Sequence, residues 1–334
     1  MKVGLMGAGF MGKTHAEIFH KLEDVELTAC LDQDEDRVTQ IAKETSCMVF
    51  TDAETFFQKG GFDVVDICLP TYLHEQTILK SLEAGKHVLC EKPLTLSSKS
   101  GKRIRDALKK TDLKFMVAQV IRFWPQYRKI REMIQDGAIG EIETIHAYRL
   151  SEIPQWASWF RIPEKGGGAL FDLHIHDLDF IYVLCGKPQS LYTTGMPGEF
   201  GAWDSISSTL RWEDKYAVIH GDWKHLKGFP LQFGIRVRGK EGTLEYCFKV
   251  SGNVESKTQA LEELTFATHD HTESIDCQDY RDGYEEEILY FLDCVRNNKP
   301  VEEATIDQVL DVLKLVEEEK ASLETGERRE IMGP

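Results

Sequence analysis

No stretch of this chain approaches the eighteen or so consecutive apolar residues of a membrane-spanning helix. The first residues also lack the basic leader and apolar run of a secretory signal, so the expected location is the cytoplasm. Basic charge is short: 40 Lys and Arg stand against 56 Asp and Glu, a formal net charge of -16. Nucleic acid and anionic membrane surfaces need the opposite balance, so neither is expected as a partner. The eight cysteines (Cys30, Cys47, Cys68, Cys90, Cys185, Cys247, Cys277, Cys294) include no C-x-x-C pair, and several sit inside apolar strand-like runs. That pattern fits buried reduced thiols rather than a disulfide framework or a zinc site. There is no internal repeat and no low-complexity tract. What remains is a composition of 42% hydrophobic and 29% charged residues over 334 positions, ordinary for a soluble globular chain and long enough for two domains.

The informative stretch is the first. Lys2 to Met6 forms an apolar strand pattern that runs into Gly7-x-Gly9-x-x-Gly12 and then a helical pattern. In a strand–turn–helix unit, Gly7 permits the tight turn, Gly9 lets backbone approach a pyrophosphate, and Gly12 lets the helix pack close to the strand. The phosphates then meet the positive helix N-terminus. Three glycines alone also fit any glycine-bearing turn. Asp32 adds weight, lying 20 residues beyond Gly12 at the end of a second strand-like run, Val25 to Leu31. A carboxylate there accepts hydrogen bonds from ribose hydroxyls and repels a 2′-phosphate, which favours NAD; Arg37, close by in sequence, keeps NADP as the second reading.

Residues 1–119 continue to alternate strand and helix. Further strands are expected at Met48–Phe50, Val64–Leu69, His87–Cys90 and Lys114–Ala118, with helices near Asp36–Glu44, Glu54–Lys59, His74–Ala84 and from Ser97 or Ser98 to Lys110. Such alternation predicts a doubly wound parallel sheet, an α/β Rossmann domain covered on both faces. After Gln119 the texture changes. Helices are expected at Pro125–Asp136 and about Gly168–Leu184, and strand-like runs at Leu191, Ser205–Trp212, Ala217–Trp223, Gln232–Arg238 and Thr243–Phe248. These predict a second α+β domain, 120–334, with an open and mainly antiparallel sheet. Residues 249–283 give no clear signal. Helices close the chain at Tyr284–Val295 and about Ile306–Glu324, where Glu317 to Glu319 read as a solvated face.

Three stretches carry chemistry. Glu91-Lys92-Pro93 lies at the carboxyl end of the fifth strand, where doubly wound sheets bind ligands, so Lys92 is a candidate to hydrogen-bond a reacting hydroxyl and stabilise alkoxide charge. Gly166 to Asp179 contains Asp172 and His176 at a spacing that puts both on one helical face, with Asp179 one turn on. A carboxylate-oriented histidine is a competent general base. His174 and His176 also suggest a metal, but on a helix they point roughly 200° apart, so no metal site is expected. Finally, Ser151 to Lys165 holds Trp156, Trp159, Phe160 and Arg161, candidates for a lid that packs indoles on the C–H faces of a sugar, or equally for core or oligomer contacts.

In combination, Gly7-x-Gly9-x-x-Gly12, Asp32, Pro70-Thr-Tyr-Leu-His74, Glu91-Lys92-Pro93, Arg122-Phe-Trp-Pro125, Gly168-x-x-x-Asp172-x-x-x-His176 and Ser322-x-x-Thr325-Gly326 follow one another in a way that resembles the Gfo/Idh/MocA family over nearly the whole chain. The resemblance implies a Rossmann domain followed by a domain whose open sheet makes homodimer or homotetramer contacts. It implies a Lys–Asp–His catalytic set, here Lys92, Asp172 and His176. It also implies cofactor contacts from Phe10, Met11, Pro70, Thr71, His74, Glu91 and Lys92 beside the glycines, Asp32 and Arg37, and substrate contacts from Arg122, Trp156 and Trp159 beside the catalytic set. Many relatives have glycine two positions after the helix aspartate, where this chain has His174; that residue is expected either to reshape the site or to contact a subunit interface. The reaction expected is hydride transfer between NAD and a secondary hydroxyl of a sugar, glycoside or cyclitol, with His176 taking the proton. The rivals are an enzyme that retains NAD and cleaves glycosides through transient oxidation, a dinucleotide-sensing regulator, and a metal-dependent hydrolase.

Overall fold

The computed structural model describes residues 1–155, 158–251 and 258–331, and divides into two compact units. The first holds Met1–Val120 and Tyr284–Leu310. Its strands are β1 (Lys2–Met6), β2 (Glu26–Leu31), β3 (Met48–Phe50), β4 (Val64–Ile67), β5 (His87–Glu91) and β6 (Phe115–Ala118), all parallel, in the order β3-β2-β1-β4-β5-β6. Every residue of β4 and β6 is buried, as expected of strands covered on both faces. The helices between them are α1 (Phe10–Lys21), α2 (Glu35–Thr45), α3 (Ala53–Lys59), α4 (His74–Glu83) and α5 (Ser98–Leu108). Side chains cap three of these: Asp34 accepts from the Arg37 N–H, Asp52 from those of Glu54 and Thr55, and Ser97 from that of Ser100. The strand order reverses between β1 and β4, and in such sheets the crevice beyond the carboxyl ends at that point takes the ligand.

The sequence suggested that the second domain runs unbroken from 120 to 334, whereas residues 284–310 pack in the first unit. The physical cause is an apolar face plus polar ties: Ile288, Phe291 and Leu292 are buried, Arg296 pairs with Asp24 at 2.6 Å, and the Ala304 carbonyl accepts the Val117 N–H at 3.5 Å.

The second unit holds Ile121–Gly283 and Asp311–Pro334. It contains α6 (Pro125–Gln135), β7 (Ile142–Glu152), α7 (Ile175–Cys185), β8 (Ser190–Pro197), β9 (Trp203–Arg211), β10 (Tyr216–His225), β11 (Gln232–Gly239), β12 (Gly242–Ser251), β13 (Thr258–Thr268) and β14 (Thr272–Ser274). After α8 (Gly283–Arg296) and α9 (Ile306–Thr325) comes the short β15 (Arg329–Glu330). The nine strands form one sheet, β14-β13-β12-β11-β7-β10-β9-β8-β15, antiparallel except where β7 runs parallel to β10. Strands β7 and β13 were not expected from the sequence. In β7 the buried positions are Ile142, Ile145, Ala147, Arg149 and Ser151, so two polar residues break the apolar alternation that marks a half-buried strand. Arg149 is tolerated inside because Asp177 of α7 accepts two hydrogen bonds from its guanidinium, each 3.0 Å. Among the described residues no helix is long and apolar enough to cross a membrane.

Candidate active site

The turn after β1 has a separate reason for each glycine. Gly7 has φ +101°, and a Cβ there would stand 2.4 Å from the Cys68 carbonyl oxygen. A Cβ on Gly12 would stand 1.8 Å from the Gly7 oxygen, so α1 sits on the turn at a distance only glycine allows. A Cβ on Gly9 would meet no protein atom within 4 Å. That opening lies at the N-cap of α1, which has neither a capping side chain nor an acidic residue in its first turn. The helix N-terminus with its positive dipole and the open space beside Gly9 together fit the diphosphate of a dinucleotide. Phe10 and Met11 flank the opening, Phe10 exposed and Met11 half-exposed. Asp32 does more than its spacing suggested: its carboxylate accepts the Ala8 N–H at 2.8 Å and the Asp34 N–H at 3.0 Å, tying the end of β2 to the glycine turn. Arg37 pairs with Asp34 at 3.1 Å.

Beyond β4, Pro70 and buried Thr71 lead into α4. His74 is wholly buried and anchors two loops, its Nε2 2.7 Å from the Leu69 oxygen and its Nδ1 3.0 Å from the Pro93 oxygen. Burial pushes its pKa down, with the surrounding carbonyls opposing. At the end of β5, Glu91 and Pro93 are buried while Lys92 between them is half-exposed.

In the second unit, Gly166, Gly167 and Gly168 set up the start of the chemistry-bearing helix. A Cβ on Gly166 would lie 2.7 Å from the Phe160 Cα; Gly167 and Gly168 have φ of +74° and +73°. The Asp204 carboxylate then accepts the Ala169 N–H at 3.3 Å. The first turn, Leu170–His174, is a π-helix that passes into α7. Single π-turns of this kind recur at functional sites because they re-aim side chains. From Gly168 to Ile181 every residue is buried except Asp172 and His176, both half-exposed.

Three expectations change here. Arg122 was read as a substrate contact, but it is 2% exposed and gripped by Asp179 at 2.8 and 2.7 Å, because a guanidinium this deep needs a carboxylate partner. His174 reaches no subunit surface: it is fully buried with Nε2 2.9 Å from Glu319 and 3.2 Å from Ser208. Burial lowers its pKa, but the Glu319 carboxylate more than compensates and the net direction is up. Glu319, read as part of a solvated face, is therefore an interior residue. Trp159 stacks on buried Phe160 with ring centroids 4.0 Å apart, whereas Trp156 lies outside the described residues. The sequence reading also passed over His15 and Asp66, which are buried at 2.8 Å from each other under the glycine turn. A polar residue within the otherwise apolar fourth strand was the one available signal.

A six-stranded parallel sheet in this order, with a glycine turn open at its switch point, defines the class: a doubly wound α/β protein of the dinucleotide-binding type. Residues 1–119 match the family described as oxidoreductase family, NAD-binding Rossmann fold, and residues 127–245 match the GFO/IDH/MocA C-terminal domain. The chain belongs to the Gfo/Idh/MocA family of oxidoreductases. It is 30% identical over 252 residues to inositol 2-dehydrogenase of Rhizobium meliloti, covering 73% of this chain and 74% of that one. It is also 30% identical over 251 residues to 2,7-anhydro-N-acetylneuraminate hydratase of Mediterraneibacter gnavus, spanning 72% of this chain and 66% of that protein's length. A solved structure of levoglucosan dehydrogenase in complex with NADH has a TM-score of 0.86 over 100% of both chains at 19% identity, a likeness of fold alone.

Proposed function

We propose that this protein is an NAD-dependent dehydrogenase that moves hydride between nicotinamide and a secondary hydroxyl or ketone of a sugar, glycoside or cyclitol. The observation that carries the proposal is selective exposure: Lys92, Asp172 and His176 are the half-exposed residues of stretches otherwise buried. A lysine and a histidine–carboxylate pair are the groups needed to bind a hydroxyl and remove its proton, and a bound NAD supplies the hydride acceptor that no side chain can be. In this reading Gly7, Gly9, Phe10, Met11 and Gly12 line the diphosphate. Asp32 faces the ribose, with Pro70, Thr71, His74 and Glu91 shaping the loops around the rest of the cofactor. Lys92 donates to the substrate oxygen. Asp172 orients His176, which takes the hydroxyl proton in the oxidative direction and returns it in the reductive one. Trp156 and Trp159 are proposed to pack against the apolar face of the substrate ring. The preference for NAD over NADP rests on the Asp32 carboxylate and on Arg37 being engaged by Asp34.

The inositol 2-dehydrogenase relative supports the cyclitol class. The relative named as a hydratase supports a second reading, in which the cofactor stays bound and the product leaves without net reduction. The proposed location is the cytoplasm and the proposed assembly a homodimer or homotetramer through the mainly antiparallel sheet. A panel of cyclitols, monosaccharides and glycosides with NAD and NADP tests the function. His176→Ala is expected to lower turnover about 10²–10⁴-fold with NAD affinity nearly intact; unchanged turnover would remove His176 from the reaction.

A further inference from the structure

Five chemistry-bearing side chains of the first unit meet beneath the glycine turn, and none has a role in the steps above except Glu91. His15 projects from α1 and is wholly buried. Its Nδ1 lies 2.8 Å from Asp66 Oδ2 on β4, and its Nε2 lies 3.4 Å from Glu91 Oε1 at the end of β5. The second oxygen of Glu91, Oε2, accepts the backbone N–H of Lys92 at 3.0 Å. The contacts run from β4 to α1 by a hydrogen bond, from α1 to β5 at ion-pair distance without a hydrogen bond on Nε2, and from Glu91 by a hydrogen bond to the peptide nitrogen of Lys92.

We propose that His15, bridging Asp66 and Glu91, is a positioning residue for Lys92: it fixes the Glu91 carboxylate, and that carboxylate holds the Lys92 backbone in the conformation from which its amine meets the substrate. The proposal rests on the role given to Lys92 in the dehydrogenase reading.

The chemistry of the bridge follows from its surroundings. A neutral imidazole has one N–H and serves one carboxylate; an imidazolium has two and serves both. Burial by itself would keep His15 neutral, but the Cys68 sulfur, 3.5 Å from Nδ1, and the Asp66 carboxylate push the other way, and the net direction is well upward. Burial also raises the Cys68 pKa, and the Asp66 carboxylate is the partner that hydrogen-bonds the imidazole directly. Among the described residues, the imidazole is also faced by Glu287, whose carboxylate lies within 4.8 Å of the His15 and Glu91 ligand atoms, and by the Tyr284 ring, with its centroid at 6.4 Å. A cation in the middle of these carboxylates offsets charges that would otherwise repel each other in a desolvated place. Fold stability alone would not require this cluster to terminate on one peptide N–H. What lies just beyond that N–H is the half-exposed lysine, between two buried neighbours.

The test uses His15→Gln, Glu91→Gln, the double variant and Lys92→Ala, each in the full chain. His15→Gln and Glu91→Gln are each expected to lower kcat about 10–100-fold, the scale of a small misplacement of a reacting group, and in His15→Gln, which does not line the cofactor, KM and the NAD dissociation constant are expected to stay within about threefold of wild type. The double variant is expected to be no slower than the slower single variant, because the two residues act as one unit. A second readout needs neither cofactor nor substrate. In protein reductively methylated with ¹³C, the Lys92 dimethylamine resonance, assigned by its loss in Lys92→Ala, is expected to shift in His15→Gln while the other lysine resonances stay in place. A variant that melts earlier yet keeps wild-type kcat and the wild-type Lys92 resonance would overturn the proposal and leave His15 a core residue. Should His15→Gln not fold, Glu91→Gln decides by the same two readouts. Wild-type turnover in Lys92→Ala would instead overturn the assignment of Lys92 to the reaction, while the resonance would still report whether His15 positions it.

Discussion

Replacing Gly9 and Gly12 by alanine, one at a time, separates what the fold needs from what the cofactor needs. Gly9 has φ -76° and ψ -161°, a conformation open to any residue, and its added Cβ meets no protein atom within 4 Å. The fold should therefore lose no more than about 1 kcal/mol, the difference between a good and a poor N-cap, partly offset by the lower entropy of the unfolded alanine chain. For a unit of this size that is a Tm change of roughly 2–4 °C or less. The same methyl occupies the space through which the α1 N-terminus would meet a diphosphate. Losing one hydrogen bond to a charged group costs about 1.5–3 kcal/mol, so NAD should bind roughly 10–100-fold more weakly. Gly12 behaves differently. Its Cβ would sit 1.8 Å from the Gly7 oxygen, against about 3.3 Å for a close C···O contact, and the atom in the way is backbone. Overpacking of that kind costs about 1–3 kcal/mol or more, a Tm lower by roughly 2–12 °C, and it moves the turn itself, so binding falls with stability. Thermal melts and calorimetric titration with NAD read both quantities. A Gly9→Ala protein that binds NAD as wild type does would refute the claim that this opening takes the diphosphate.

Further outcomes follow from the interior. Arg122→Ala leaves Asp179 buried without its guanidinium, a loss of about 3–5 kcal/mol, so the melting temperature should fall by roughly 6–20 °C; a wild-type melt with a raised KM would instead return Arg122 to the substrate site. His15 and His174 both have pKa values raised above 6.5 in the folded protein. A raised folded value means that the stabilisation is complete below the unfolded pKa and disappears as pH climbs through the folded one. Stability should therefore decline from about pH 6.5 upward, by no more than about 1.4 kcal/mol per pH unit for each group, and Glu319→Gln should flatten part of the slope. A denaturant midpoint that is level across mildly alkaline pH would contradict this. Asp32→Ala should weaken NAD binding and also loosen the glycine turn, because the Ala8 N–H loses its acceptor; a change in neither NAD affinity nor melting temperature would count against both roles.

The first unit was largely legible because its determinants are local. Strands such as Phe115–Ala118 are continuous apolar runs, Asp34, Asp52 and Ser97 cap the helices they precede, and Gly7 and Gly12 answer constraints set by Cys68 after the fourth strand and by the turn itself. Where reading failed, distant partners had changed the meaning of a residue. Arg149 looks like a surface residue until Asp177 neutralises it, and that disguise hid the central strand of the larger sheet. Glu319 looks solvated until His174, 145 positions earlier, meets it inside. The π-turn at Leu170–His174 depends on the glycine run and on Asp204 from another strand, so the pattern of the helix alone did not predict it. Residues 284–310 return to the first unit through an apolar face that reads the same whichever sheet it covers.

The central claim is that hydride passes directly from a carbinol carbon to nicotinamide with His176 taking the proton. The most direct measurement follows the isotope: a cyclitol or sugar deuterated at the carbinol position is incubated with the protein and NAD, and the recovered cofactor is analysed by mass spectrometry. The account predicts deuterium in the reduced nicotinamide at a rate that falls by orders of magnitude in His176→Ala. Product formed with no deuterium ever reaching the nicotinamide, or labelling unaffected by loss of His176, would contradict it.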